Sequence, residues 1–314
     1  MRNYAMLGKW HVHAEQYANE INRLEGCRIA KVWDPCAETA VAWAEKLGNG
    51  CIPASVEEIL SDPAIEGVIV CTATNEHPGL MERCCAAGKA VFTEKVLALK
   101  NEDAESIREA VRANHTRFGI SFPHLSESPV RCALDIAASG KLGRLNYARV
   151  RKAHDGATAN WLPPHFYDPI ACGGGAMIDL GAHPMYLLCE IFGGEPEKVQ
   201  SAFTHVTGKV VEDNAVSLLT FEGGAVGVSE TSFVSSGYPL TIEIGGDKGT
   251  LLMHDGEVRV RCGRGDWETP VQPEAQPSPL AQWAMAEKPE DIPAGFGIDA
   301  AVRLTKVMVA AYAE

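Results

Sequence analysis

The first 120 residues alternate short β-rich runs with amphipathic stretches, and nothing else in the chain restricts its fold as tightly. Runs at Arg2–Leu7, Arg28–Trp33, Gly67–Thr72, Ala90–Thr93 and Thr116–Ser121 are separated by helical stretches near 12–24, 37–47, 77–87 and 101–114, each bounded by Gly, Pro or acidic residues. Such alternation builds βαβ units with parallel strands, so an α/β, doubly wound Rossmann sheet is expected here. After residue 145 the texture changes. The stretches "VEDNAVSLLTFEGGAVGVSETSF" (211–233) and "LTIEIGGDKGTLLM" (240–253) alternate apolar and polar residues around Gly-Gly and Asp-Lys-Gly turns, as antiparallel hairpins do. The expectation is a dinucleotide-binding domain over 1–122, then an α+β domain over 123–314 with a large, mostly antiparallel open sheet. Residues 269–294, rich in Pro, Glu and Ala, read as a surface connection before a closing helix at 298–313.

Charge narrows the choice of partner. With 41 acidic against 28 basic side chains and a net charge of −13, the surface repels phosphate backbones and anionic lipid, which argues against nucleic acid and membrane. No apolar run approaches the roughly 20 residues of a membrane span, and the N-terminus lacks the regions of a signal peptide, so a cytoplasmic location is expected. Ten cysteines without a C-x-x-C pair read as reduced, mostly buried thiols.

The loop "MLGKWHVHA" (6–14) admits two readings. As a Rossmann βα turn it keeps Gly8, while Trp10 and His13 stand where the second and third glycines would be. It follows a strand and opens a helix, whose N-terminal amides can hold a pyrophosphate. The second strand ends in Asp34, 26 residues past Gly8, near the offset of a ribose-binding acid. A carboxylate there repels a 2′-phosphate, and no Arg or Lys immediately follows, which favours NAD over NADP. Asp-Pro is also an ordinary turn opener. The other reading takes His11 and His13 as a metal-binding His-x-His pair, which needs further ligands on a βα barrel. The antiparallel second half excludes that barrel, so no metal is expected. His11 and His13 can also simply cap and pack the first helical turn.

Two stretches carry chemistry. In "AAGKAVFTEKVLAL" (86–99) a strand delivers Glu94 and Lys95 to the carboxyl end of the sheet, where open α/β folds bind ligands. In "CGGGAMIDLGAHPMYLLCEIFGG" (172–194), Asp179 and His183 stand four apart on a predicted helix, a spacing that puts both on one face and that also suits a plain surface pair.

With these residues the chain resembles the Gfo/Idh/MocA oxidoreductases, which include inositol and sugar dehydrogenases. The likeness runs from the N-terminal strand–loop–helix through "AGKAVFTEK", "SGKLGRL", "GGGAMIDLGAH" and "EDNAVSLLTFEGGAVG" to "GDKGTL". It implies an NAD(P)-binding domain and a C-terminal sheet through which a homo-oligomer, dimer or tetramer, assembles. It also implies catalytic residues Lys95, Asp179 and His183. Oxidising a secondary alcohol removes a hydroxyl proton as hydride departs, which suits His183 as base, Asp179 as its orienting partner and Lys95 as donor to the substrate oxygen. Cofactor contacts are then expected from Gly8, Lys9, Trp10, His11, Asp34, Thr72, Ala73, Thr74, His77, Glu94 and Lys95. A polyhydroxylated small molecule would meet Lys95, His183 and the aromatic loop residues Trp161, His165 and Tyr167, although that loop can equally pack on its own aromatics.

The chain departs from the family pattern in three places. Thr72-Ala73-Thr74 replaces Thr-Pro-Asn before His77, Val96 replaces the proline of Glu-Lys-Pro, and "FPH" (122–124) replaces arginines. The last change leaves a less cationic pocket. The leading expectation is hydride transfer between NAD and a sugar, inositol or related polyol. The alternatives are an NAD-dependent glycosidase using transient oxidation, or a non-catalytic nucleotide-sensing protein of the same fold.

Overall fold

A computed structural model describes residues 1–237 and 239–313. It divides into two units, one of residues 1–121 with 277–302, the other of 122–276 with the segment from Arg303 onward. The first unit opens with β1 (Arg2–Leu7), α1 (Ala14–Arg23), β2 (Cys27–Trp33), α2 (Ala37–Leu47), β3 (Ile52–Pro53) and α3 (Val56–Leu60). It continues with β4 (Ile65–Val70), α4 (His77–Ala86), β5 (Ala90–Thr93), α5 (Asn101–Ala113) and β6 (Phe118–Ile120). The six strands pair in parallel in the order β3-β2-β1-β4-β5-β6. The doubly wound expectation holds. Tyr4, Ala5, Met6 and Leu7 of β1 are all fully buried because both faces of a parallel sheet are covered. Strand order reverses at the β1–β4 pair, the switch point where such sheets bind ligands. The short β3 and α3 are additions to the sequence reading. Five residues give α3 no visible period, although Ser55 and Glu58 form a capping box at its start.

The second unit holds α6 (Ser128–Ala138), β7 (Leu145–Ala153), α7 (Pro169–Cys172) and α8 (Ala182–Phe192). Strands β8 (Lys198–Thr204), β9 (Asn214–Thr220), β10 (Val226–Ser232), β11 (Thr241–Gly246), β12 (Gly249–His254) and β13 (Glu257–Cys262) follow. With β7 they make a seven-stranded sheet ordered β13-β12-β11-β7-β10-β9-β8, antiparallel except where β10 runs parallel to β7. Helix α8 packs on β7 and β10.

Residues 269–294 correct the sequence reading. They contain α9 (Pro279–Met285), and the stretch 277–302 joins the first unit rather than the second. Trp283 is fully buried, its ring centroid 5.2 Å from Tyr4 and 5.7 Å from Phe92, and its indole nitrogen donates to the Arg117 carbonyl at 3.1 Å. Gly67 and Gly119 clear the space it fills: a Cβ on them would come within 3.0 and 3.2 Å of the indole. The composition of the segment records its exposed flanks and hides this anchor. The last helix, α10 (Ile298–Tyr312), lies where the sequence places it. Seven of the ten cysteines are buried, as small apolar residues would be. Among the described residues no helix is long and apolar enough to cross a membrane.

Candidate active site

The loop between β1 and α1 is held against the end of β4. Cys71 N donates to Leu7 O at 2.8 Å and His11 N to Cys71 O at 3.1 Å. Gly8 is required there: its φ is +85°, and a Cβ would lie 2.6 Å from Thr72 Cγ2 and 2.9 Å from Thr72 N. Asp34 joins the same loop, its Oδ2 accepting from Lys9 N at 2.9 Å and its Oδ1 from Cys36 N at 3.0 Å. The carboxylate thus opens the Asp-Pro turn and braces the first loop, with lone pairs left over for ribose hydroxyls. Lys9 pairs with Glu15 at 2.7 Å and lies 5.7 Å from the Trp43 ring, while Trp10 is partly exposed with its ring 6.4 Å from that of His11. Thr72, Ala73 and Thr74 are buried, and the Thr72 hydroxyl oxygen has no hydrogen-bond partner. A glycine cradle beside an unsatisfied buried hydroxyl, at the sheet's switch point, fits a dinucleotide. His77 is 1 % exposed, with Nδ1 3.1 Å from Leu97 O, and burial pushes its pKa down, so the ring is a neutral post beneath the Lys95 loop. The Lys95–Val96 peptide is cis, at the family's proline position.

Glu94 gathers a cluster that the sequence does not advertise. Its Oε1 lies 2.8 Å from His13 Nδ1 and 3.6 Å from His11 Nδ1, and accepts a short hydrogen bond from Tyr17, whose oxygen is 2.7 Å from Ser121 Oγ. Its Oε2 accepts from Lys95 N at 3.1 Å. Burial opposes its charge, yet the neighbouring His11, His13 and Lys95 hold the carboxyl well below the usual carboxylate range. Burial and the Glu94 charge push the Tyr17 phenol well up. His13, standing in for the third glycine, therefore reaches across to β5.

In the second unit the three glycines before Asp179 admit two polar partners. Glu212 Oε1 accepts from Gly175 N and Met177 N, both at 2.9 Å, and its carbonyl from Ala176 N at 2.9 Å. Tyr312 donates to the same Oε1 at 2.7 Å and accepts from Ile178 N at 3.1 Å. A Cβ on Gly174 would collide with the Tyr312 hydroxyl, and one on Gly175 with the Glu212 carbonyl. A π-helical turn spans Met177–Gly181 before α8 begins. The step from Asp179 to His183 therefore begins in this widened turn and ends in the first turn of α8.

His183 is buried with Nδ1 3.3 Å from the Tyr186 hydroxyl, and Tyr186 stacks on Phe122 at 4.3 Å and 18°. His124 stands edge-on to His183, centroids 4.7 Å apart, and its Nδ1 is 2.8 Å from Glu127 Oε1. That hydrogen bond holds the Glu127 carboxyl below its usual range, against burial and with help from the His124 and Lys152 charges. Burial lowers the His154 pKa, an effect the Asp179 charge opposes. Sequence reasoning missed Tyr186, Glu127 and the use of His124; "FPH" reported only the loss of arginines. Of the aromatic loop, Trp161 is exposed and packs on His154 at 4.5 Å while donating to Asp155 at 3.3 Å. His165 stands 5.1 Å from Phe166, and Tyr167 lies under the Lys209 ammonium at 4.1 Å. Trp161 thus packs within the loop, while Tyr167 meets Lys209 from outside it.

Residues 2–122 match the model of the oxidoreductase family with an NAD-binding Rossmann fold, and 130–252 match the GFO/IDH/MocA C-terminal domain. A myo-inositol 2-dehydrogenase of Thermotoga maritima is 30 % identical over 242 residues, covering 75 % of this chain and 70 % of the relative. The chain belongs to the Gfo/Idh/MocA oxidoreductase family. It is an enzyme of the NAD(P)-dependent dehydrogenase and reductase type. This Gfo/Idh/MocA enzyme is also similar to a 1,5-anhydro-D-fructose reductase of Ensifer adhaerens, 26 % identical over 87 % of this chain and 84 % of the relative. Its fold is that of the aldose–aldose oxidoreductase of Caulobacter crescentus, with a TM-score of 0.81 at 18 % identity over 98 % of this chain and 95 % of the other.

Proposed function

We propose that this enzyme transfers hydride between NAD and a secondary alcohol or ketone of a sugar, inositol or related polyol. The observation that carries the reading is a buried His183 whose Nδ1 is engaged by Tyr186. In this reading Nδ1–H donates to the Tyr186 oxygen, which puts the proton-accepting lone pair on Nε2, as a general base requires. A bound nicotinamide supplies the hydride acceptor. His183 takes the hydroxyl proton, Asp179 favours the imidazolium that forms, and Lys95 stabilises charge growing on the substrate oxygen. Gly8, Lys9, Trp10, His11 and Thr72–Thr74 serve the dinucleotide, and Glu94 and His77 position the loop that bears Lys95.

NAD is the cofactor of this reading rather than NADP. Desolvation, then the charge of Asp34, raises the Glu76 pKa. The Asp34 carboxylate at the ribose position repels a 2′-phosphate. The reading includes a cytoplasmic homo-oligomer built through the second sheet, on which Val216 and Leu218 are exposed; sedimentation tests the oligomer.

The deciding experiment follows NAD⁺ reduction across a panel of inositols, aldoses and sugar acids, with His183→Ala beside wild type. Turnover by wild type and a loss of about 10²–10⁴ in the variant are expected. If NADH titration leaves the nicotinamide fluorescence unchanged, or the variant turns over equally, the proposal fails.

A further inference from the structure

We propose that His11, His13 and Glu94 form a binding site for a divalent transition-metal ion of the zinc or cobalt kind, a function beyond the redox activity. One nitrogen from each imidazole and one carboxylate oxygen lie within 4.8 Å of one another. Tetrahedral binding at about 2.0–2.2 Å sets ligand atoms about 3.3–3.5 Å apart. The observed pairs bracket that spacing: His13 Nδ1 to Glu94 Oε1 is 2.8 Å and His11 Nδ1 to the same oxygen 3.6 Å.

The hydrogen bonding gives a reason for a cation. His11 Nδ1 lies 3.3 Å from His13 N. Its neighbour at 3.6 Å is Glu94 Oε1, an acceptor carrying negative charge. A metal ion coordinated by both atoms supplies the positive charge that a protonated His11 otherwise lends this carboxylate, where both side chains are over 90 % buried.

The surroundings suit a ligand set. Lys95 N holds Oε2, and Tyr17, itself near Ser121, bonds Oε1, so the carboxylate is fixed by outer partners as metal-binding carboxylates are. His13, at 43 % side-chain exposure, gives an ion a way in. Two nitrogens and one oxygen select zinc, cobalt or nickel over magnesium and calcium, which prefer oxygen alone. The His-x-His pair thus gains its third ligand from a parallel strand end 81 residues on, without a barrel.

The test titrates chelator-treated protein with Co²⁺ alone, followed by visible absorption, and repeats it with Zn²⁺ by calorimetry. One ion per chain is expected, with affinity falling at least ~100-fold in His13→Ala and Glu94→Gln and about tenfold in Tyr17→Phe. Absence of stoichiometric binding to wild type, or equal binding by His13→Ala, overturns the proposal. Should Glu94→Gln fail to fold, the half-exposed His13 decides alone. NADH titration of the metal-free protein is a separate measurement, so the metal site and the dinucleotide site fail separately.

Discussion

The imidazole of His124 meets that of His183 edge to face, the ring planes inclined at 71°. Because Glu127 hydrogen-bonds His124 Nδ1, its ring is a fixed wall against the proposed base. His124→Ala removes the wall without touching the His183–Tyr186 contact. Turnover is expected to fall about 10–100-fold, since small displacements of a reacting group are that costly. The Kd for NADH should stay within about twofold of wild type. Steady-state kinetics and fluorescence titration separate the two.

Gly8→Ala forces a side chain into left-handed backbone and against Thr72. A loss of about 1–3 kcal/mol in urea unfolding is expected. NADH affinity should weaken in parallel, because the same displacement moves the loop that receives the phosphates.

Glu94→Gln leaves His11 and His13 facing an uncharged amide in a nearly dry site. Breaking a buried ion pair costs about 3–5 kcal/mol, measurable by denaturant titration at pH 7. The sign with pH follows from the depressed carboxyl. Its stabilisation is fully present above the unfolded value of about 4.3 and is lost as pH falls through the depressed folded value. The gap between wild type and variant therefore holds from pH 7 down to about 4.3 and narrows in stronger acid.

Asp34→Ser keeps an oxygen to accept from Cys36 N and removes the charge. Preference for NADH over NADPH should drop about fivefold, the ~1 kcal/mol Coulomb energy of two unit charges about 4 Å apart in water. Competitive titration with the two cofactors reads the ratio.

The first sheet was legible because strands buried on both faces and amphipathic helices write distinct periods into 120 residues. What stayed hidden depends on partners far apart in the chain. His13 and Glu94 meet across 81 residues, and neither "HVHA" nor "FTEK" names the other. The "EDN" of 212–214 was visible as a motif, but its work of collecting the Gly175 and Met177 amides depends on backbone brought close by glycines. The π-turn before His183 leaves no mark in a spacing count, because Asp and His four apart fit a regular helix equally well.

The indole slot between Gly67 and Gly119 sets an order of events during synthesis. Every strand of the first sheet is synthesised more than 150 residues before Trp283. Until then the nascent sheet shows a bare apolar notch to whatever is nearby. A proteolytic nick or gene fusion at residue 121 would make that passing exposure permanent. The half of the chain that resembles a self-contained cassette therefore matures only with its late-arriving plug.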